Sequence, residues 1–463
     1  MLTFYRYANA ACILQAVAVY IVAVSAQAQE STNLSIPMTQ PPFVTETEPT
    51  GSSEIAEPDS LTQTQSSLFG GPWYERPKLT GDWFGTRSAL AGNGITLDVS
   101  NTQYHQGVTS GGLEQAFQYG GRNDYFLNVD GEKAGLSKGS FITLHGETRY
   151  GESANSLTGA LMPVNLMLAV PQPNGSITAL TGVKLTQFLS EQSMVYAGKI
   201  NTLDDFKQPI TGAGTLNGFQ NTALMFNPIY ARTVPYSTFG AGFAYLENME
   251  PLFAAAVFDT NNTPTVSGFD TFFDNGATVF AQLNLQTRFF GLPGHQGVSG
   301  TYSSGTYTDL TPTAFLNPIE GLVIQTTPKT GSWCLAYNFD QAVYVSQDDP
   351  QRKWGVFSNL GIADNNPSPI NWFASAGISG NSPFSERKAD TFGIGYFYVG
   401  VSDPLKSLAP NLLPLQNENG VELYYNVQAT PWCQITPDLQ VIDPFRERAD
   451  SSLLFGLRAK IDF

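Results

Sequence analysis

Charge is scarce in this 463-residue chain: only 13% of residues are Asp, Glu, Lys or Arg. A soluble globular protein usually carries about 25%. Long hydrophobic runs are missing too. Beyond the first 28 residues the most apolar stretch, 252–258, is strand-sized, which excludes a bundle of membrane-spanning helices. Basic residues are outnumbered, 23 against 39 acids, for a net charge of −16. That balance argues against nucleic-acid binding and supplies no obvious attraction for anions. Cysteine is nearly absent. Cys334 and Cys433 are a hundred residues apart and make no disulfide framework, so two thiols are the simpler expectation. The three histidines, His105, His145 and His295, are equally scattered. No zinc-ligand spacing, nucleophile elbow or phosphate-cradling glycine loop accompanies them. The chain therefore reads as neither an enzyme nor a protein with a metal or cofactor.

What is present begins with an export signal. A short segment with one basic residue, Arg6, leads into an apolar run over 10–24 interrupted by Gln15. Ala26-Gln27-Ala28 then offers a small-x-small cleavage site. The run is shorter than the ~20 residues a spanning helix needs. Cys12 precedes the apolar core and lacks a lipoprotein lead-in. Residues 1–28 are read as a signal peptide. Residues 29–72 are rich in Ser, Thr, Pro and Gln, with six acids and no base between Glu30 and Tyr74. Without periodicity they cannot build a core, so a disordered or extended leader is expected, with cell-wall attachment an open role. Residues 73–463 form the folded domain.

That domain alternates. Ile95, Leu97 and Val99 interleave with Thr96, Asp98 and Ser100. Tyr125, Leu127 and Val129 interleave with Asp124, Asn128 and Asp130, and Val421, Leu423, Tyr425 and Val427 with Glu422, Tyr424, Asn426 and Gln428. A period of two sends each set to its own face of a strand. Turn pairs recur at Asp130-Gly131, Asn174-Gly175, Asn217-Gly218, Asn275-Gly276 and Asn419-Gly420. Ahead of the strands, Asp82 can cap a short helix over 83–91, ended by Gly92 and Asn93-Gly94. The last strand is the most telling. Leu453, Phe455, Leu457, Ala459, Ile461 and Phe463 face one way, and Arg458 and Lys460 face the other. One face suits lipid and the other water. In lipid an open sheet edge leaves unpaired backbone groups, each costing several kcal/mol, so the sheet must close. At roughly 23 residues per strand with its connection, the domain predicts an all-β, transmembrane antiparallel β-barrel of about 16 strands with a short N-terminal helix. A secreted β-sandwich or β-helix would explain the turns but not the sustained dyads.

The terminal strand resembles the closing strand of bacterial outer-membrane barrels, in which a final aromatic helps mark the chain for the barrel-assembly machinery. Phe463, Ile461 and Phe455 are the assembly and lipid-facing candidates. Three further stretches resemble the carbohydrate-selective porin (OprB-type) family. The first is Leu79-Thr80-Gly81-Asp82-Trp83-Phe84-Gly85-Thr86-Arg87, with Phe84 where a glycine is common. The second is Ala197-Gly198-Lys199-Ile200-Asn201-Thr202-Leu203-Asp204. The third runs from Gly355 through Asn366-Pro367-Ser368-Pro369, Trp372-Phe373, Asp390-Thr391-Phe392-Gly393, Thr430-Pro431-Trp432 and Pro437-Asp438-Leu439-Gln440 to Phe463. The resemblance implies a bacterial outer-membrane porin, monomer or homotrimer, with outer-membrane lipid and small sugars as its partners. It implies passive diffusion of monosaccharides such as glucose through a constricted channel, with no cofactor. A general or organic-acid diffusion porin on the same barrel is the alternative, and an outer-membrane barrel hydrolase a remoter one.

A sugar constriction needs Arg donors, carboxylate acceptors and aromatic faces, spread so that the solute can leave. In 141–150 one strand face carries Thr143, His145, Glu147 and Arg149, placing Glu147 and Arg149 about 7 Å apart on the luminal side. Arg122 and Asp124, assigned to the preceding loop and strand start, are further candidates, as are Tyr424 and Arg458, with Lys460 beside it. Arg87 is read as an anchor for the short helix. Trp372 and Phe373 suit either a stacking platform or, more commonly, an interfacial aromatic belt.

Overall fold

The computed structural model describes residues 70–172, 175–311, 313–317, 321–407 and 413–463, with side chains described outside 312–325. The signal peptide and nearly all of the leader, like Asn174 of one turn pair, lie outside the described residues. The strands are β1 (Ile95–Gly112), β2 (Phe117–Asp130), β3 (Ser140–Gly151), β4 (Ile177–Ser190), β5 (Ser193–Asn201) and β6 (Ser237–Glu247). They continue with β7 (Glu250–Asp259), β8 (Ala277–Phe289), β9 (Leu292–Thr308), β10 (Thr313–Asn317), β11 (Gly321–Gln325) and β12 (Pro328–Val345). The last six are β13 (Lys353–Ala363), β14 (Ile370–Asn381), β15 (Thr391–Val401), β16 (Glu418–Thr430), β17 (Cys433–Asp443) and β18 (Asp450–Asp462). Every strand except β10 and β11 joins one closed barrel, which makes 16. β10 and β11 pair only with each other, in the connection between β9 and β12. The ladder is antiparallel throughout, and β1 closes the ring by pairing with both β2 and β18. Among the described residues the barrel itself has no open edge to face lipid.

The dyads sort as their chemistry demands. On β16, Val421 and Leu423 are exposed outward, while Glu422 and Tyr424 are wholly buried inward. On β18, Phe455 and Leu457 face out and Leu454 and Arg458 face in. Large apolar side chains exposed all round the wall are what a barrel in lipid requires. The buried apolar core lies instead inside the lumen, because two connections fold inward. Residues 161–171, after β3, and 218–236, after β5, are buried without a break. Leu161, Met162, Phe219 and Leu224 from these segments share one buried cluster with Phe357, Phe397 and Tyr424 of the wall.

Three expectations need correction. Arg122 and Asp124 are not at a loop and strand start, since β2 begins at Phe117. Gly120 and Gly121, just ahead of them, are already paired in the ladder. A Cβ on Gly121 would meet the Tyr150 hydroxyl at 2.5 Å, so the glycine is there for a close side-chain approach. Asn419-Gly420 is likewise inside β16, where a Cβ on Gly420 would meet the Phe397 ring at 2.8 Å. The short helix is Thr86–Gly92, starting three residues late. Trp83 and Phe84 have φ of 51° and 58°, left-handed values that stop a right-handed helix from running through them. Asp82 still serves the helix start: its Oδ1 accepts from Ser88 N at 2.9 Å and Ser88 Oγ at 2.8 Å.

Candidate functional site

The pairing of β2 with β3 builds the site. In register across the two strands, Arg122 faces Arg149, Asp124 faces Glu147, and Phe126 faces His145. Like charges placed directly opposite repel. The lumen resolves the conflict diagonally. Arg122 donates to Asp124 on its own strand and to Glu147 on the next. Its other amino group reaches Met167 O at 3.3 Å. Arg149 turns away to the first inward segment, donating to Leu168 O at 2.7 Å and Gly175 O at 2.6 Å.

The acids gather more partners. Tyr236 Oη donates to Glu147, 2.6 and 2.7 Å from its two oxygens. His145 stacks on Phe126 with ring centroids 3.9 Å apart. Its Nδ1 lies 2.5 Å from Asp204 Oδ1 and its Nε2 3.2 Å from Asp124 Oδ1. Asp124, His145 and Glu147 bring ligand-type atoms within 4.8 Å of one another. The Arg122 guanidinium already donates to both carboxylates, so the cation of this cluster is the arginine itself. In the connection after β5, burial raises the carboxyl of Asp205 above its ordinary range, against the pull of Lys184 Nζ 2.6 Å away.

A cavity of about 180 Å³ opens onto this network. Arg122, Asp124 and Glu147 line it from the wall, Leu216 and Asn217 from the connection after β5, and Lys460 from β18. Three of the six candidates thus converge. The other three hold inward segments in place. Arg149 does so as described. Arg458 donates to Gly218 O at 2.9 Å. Tyr424 packs edge-on against Phe219, with centroids 4.9 Å apart. Trp372 and Phe373 do not share a platform. Trp372 is on the outer face, stacked on Tyr398 at 4.7 Å, and Phe373 is buried inside.

Sequence reasoning gave no role to Asn201, Asp204 or Tyr236. The first two lie in the second family-like stretch, which was the available signal. Tyr236 lies at the end of a connection with no periodicity to point to it. Nor did it pair His295 with Asp340 and Glu250, at 3.0 and 3.2 Å. Cys334 is unpaired and buried, its Sγ 3.0 Å from Thr301 Oγ1, and Cys433 is also unpaired.

A closed barrel of sixteen antiparallel strands, apolar on its outer face, with its charged groups turned inward and its lumen narrowed by inward-folded connections, is a porin of the bacterial outer membrane: a channel and not an enzyme. The profile described as carbohydrate-selective porin, OprB family, matches residues 114–463, and the chain belongs to that family. The first family-like stretch, 79–87, lies ahead of the matched region. Porin B of Pseudomonas aeruginosa is 26% identical over 228 residues, which are 44% of this chain and 49% of that protein. The match thus spans about half the length of that relative. The high-pH structure of Pseudomonas putida OprB superposes with a TM-score of 0.72 at 20% identity, over 84% of this chain and 99% of that one. Its low-pH structure gives 0.54 at 18% identity, with the same coverage. At such identities the likeness is one of fold.

Proposed function

We infer that the chain is a passive channel for monosaccharides such as glucose. The observation that carries this reading is the Arg122–Asp124–Glu147 network at the cavity. Each sugar hydroxyl both donates and accepts. A guanidinium fork and two carboxylates, held on a rigid wall, offer matching groups at fixed positions. The network also disfavours the organic-acid alternative. Its single arginine is engaged by two carboxylates, and Asp204 adds a third acid, so an incoming anion meets negative charge. His145 and His295 have their ring nitrogens on carboxylates rather than on a serine, which supports a channel over a hydrolase.

The same reading assigns residues 1–28 to export, 29–72 to a periplasmic leader and 73–463 to the channel. It assigns Phe463, Ile461 and Phe455 to recognition by the barrel-assembly machinery, in a protein that works as a monomer or homotrimer. The test is swelling of liposomes carrying the refolded protein. Glucose should enter faster than a disaccharide, and faster than a monosaccharide acid of similar size. Equal rates for all three would leave a general diffusion porin in its place.

A further inference from the structure

The two inward segments bind each other across the lumen. Thr222 donates to Pro163 O from both its N and its Oγ1, at 3.0 Å each, and Leu166 N donates to Gln220 O at 3.2 Å. Together they make one partition. Its roots are the ends of β3 and β5 on one side of the barrel. One edge rests on β16 and β17, on the other side of the β1–β18 closure, and the second segment runs on to β13 and β9, where Asn227 Nδ2 donates to Leu360 O and Tyr230 Oη meets Ser299 Oγ.

Two glutamates four residues apart on the inner face of β16 meet that edge. Glu418 accepts from the consecutive backbone N–H groups of Leu161, at 2.5 Å, and Met162, at 3.0 Å. It also takes Phe445 N at 3.2 Å. Glu422 accepts from Gln220 N at 2.6 Å and Asn221 N at 2.9 Å, one on each oxygen. Gln440, opposite Glu422 in register, joins both segments. It accepts from Asn221 Nδ2 at 3.1 Å and donates to Val164 O at 2.9 Å. Both glutamates are wholly buried. Among the described residues no ion pair involves either. Glu422 also shares a hydrogen bond with the Asp438 side chain, and the rest of what satisfies the two comes from backbone N–H groups of the partition and of the Phe445 turn. A buried carboxylate without a cation persists only where hydrogen bonds replace its water. These two therefore need the partition at the wall as much as the partition needs them.

The geometry points to Glu418 and Glu422 as the clamps that set the width of the channel. They hold the edge at which both segments meet the wall, so they set how much of the lumen stays open beside it. This deepens the channel reading above and rests on it only where sugar is the solute. The experiment is ion conductance of the refolded full chain in planar bilayers, with no sugar present, for the Glu418→Ala/Glu422→Ala double variant. Conductance should rise severalfold, and liposomes should then admit a trisaccharide that the unaltered protein excludes. Unchanged conductance and an unchanged size limit, in a barrel whose gel migration still shifts on heating, would overturn the assignment. Should the double variant not fold, Glu422→Gln keeps the shape but only one accepting oxygen. Its conductance should become noisy and step between levels. A quiet, unaltered trace would equally sink the clamp. Failure of glucose selectivity in the unaltered protein would refute the sugar reading and leave the conductance result standing.

Discussion

Arg122 is the residue on which the site turns. Three per cent exposed, it holds Asp124 and Glu147, which face each other across β2 and β3 with no other arginine or lysine on them among the described residues. Removing one partner of a buried ion pair typically costs about 3–5 kcal/mol, because the remaining charge is stranded. Here two carboxylates would be left opposed. Arg122→Ala should lower glucose entry severalfold and make the channel more cation-selective. The measurements are liposome swelling and the reversal potential across a salt gradient. Arg122→Lys restores the charge but not the fork. It should recover the reversal potential more fully than the glucose rate. If both readouts stay at the unaltered value in Arg122→Ala, the constriction lies elsewhere. Tyr236 and His145 support the same carboxylates from outside the Arg122 fork, so their loss should be felt through Glu147 and Asp124.

At the scale of elements, β18 is the join. It pairs with β17 on one side and β1 on the other, and the N-terminal segment ties onto its end. Leu79 N donates to Asp462 O at 2.8 Å, Phe463 N to Val99 O at 2.8 Å, and Arg87 to Phe463 O at 2.9 Å. The Arg87 guanidinium also lies 4.3 Å from the Trp83 ring centre. Arg87→Ala should loosen the 70–94 segment, by about 0.5–1 kcal/mol from the cation–π contact alone. Limited proteolysis of the refolded protein should then cut that segment sooner, with the barrel intact. Deleting Phe463 removes the same acceptor and a closing backbone bond, so outer-membrane yield should fall while channels that do fold conduct normally. Normal yield would count against its role in assembly. This region was readable in advance because β18 alternates from Phe455 to Asp462 and Arg87 sits in a recognisable stretch. The luminal face of β3 was readable for the same reason. Turn and loop signals misled where a strand began earlier than its alternation, at Asn419-Gly420 in β16 and at Arg122 in β2. Alternation was silent on the inward segments, since 161–171 and 218–236 have no period of two. Their apolar residues pack on one another and on the wall, and only the closed barrel supplies that wall. So the partners of Arg149, Tyr424 and Arg458 could not be foreseen, although their inward direction could.

Across the whole molecule, one wall separates an exposed apolar outer face from a luminal face that carries the buried charged groups. Each strand presents lipid and lumen at alternate residues, so neighbouring positions live in different solvents. β8 shows it in two residues. Leu283 points outward, exposed, in register with Phe253 of β7 and Val298 of β9, which are also exposed and apolar. Asn284 points inward, partly covered, in register with Gly297 of β9. An arginine placed at Leu283 would sit in hydrocarbon, where such a charge costs about 2–4 kcal/mol near the bilayer midplane. The same arginine at Asn284 would reach the aqueous lumen and lose little. Equilibrium refolding into liposomes under denaturant should therefore find Leu283→Arg strongly destabilised and Asn284→Arg close to the unaltered protein. Conductance should show the reverse order. The inward arginine changes ion selectivity, and the outward one, once folded, leaves it alone. Equal stability losses would mean that the two faces do not meet different solvents, and the membrane orientation of the wall would fail with them.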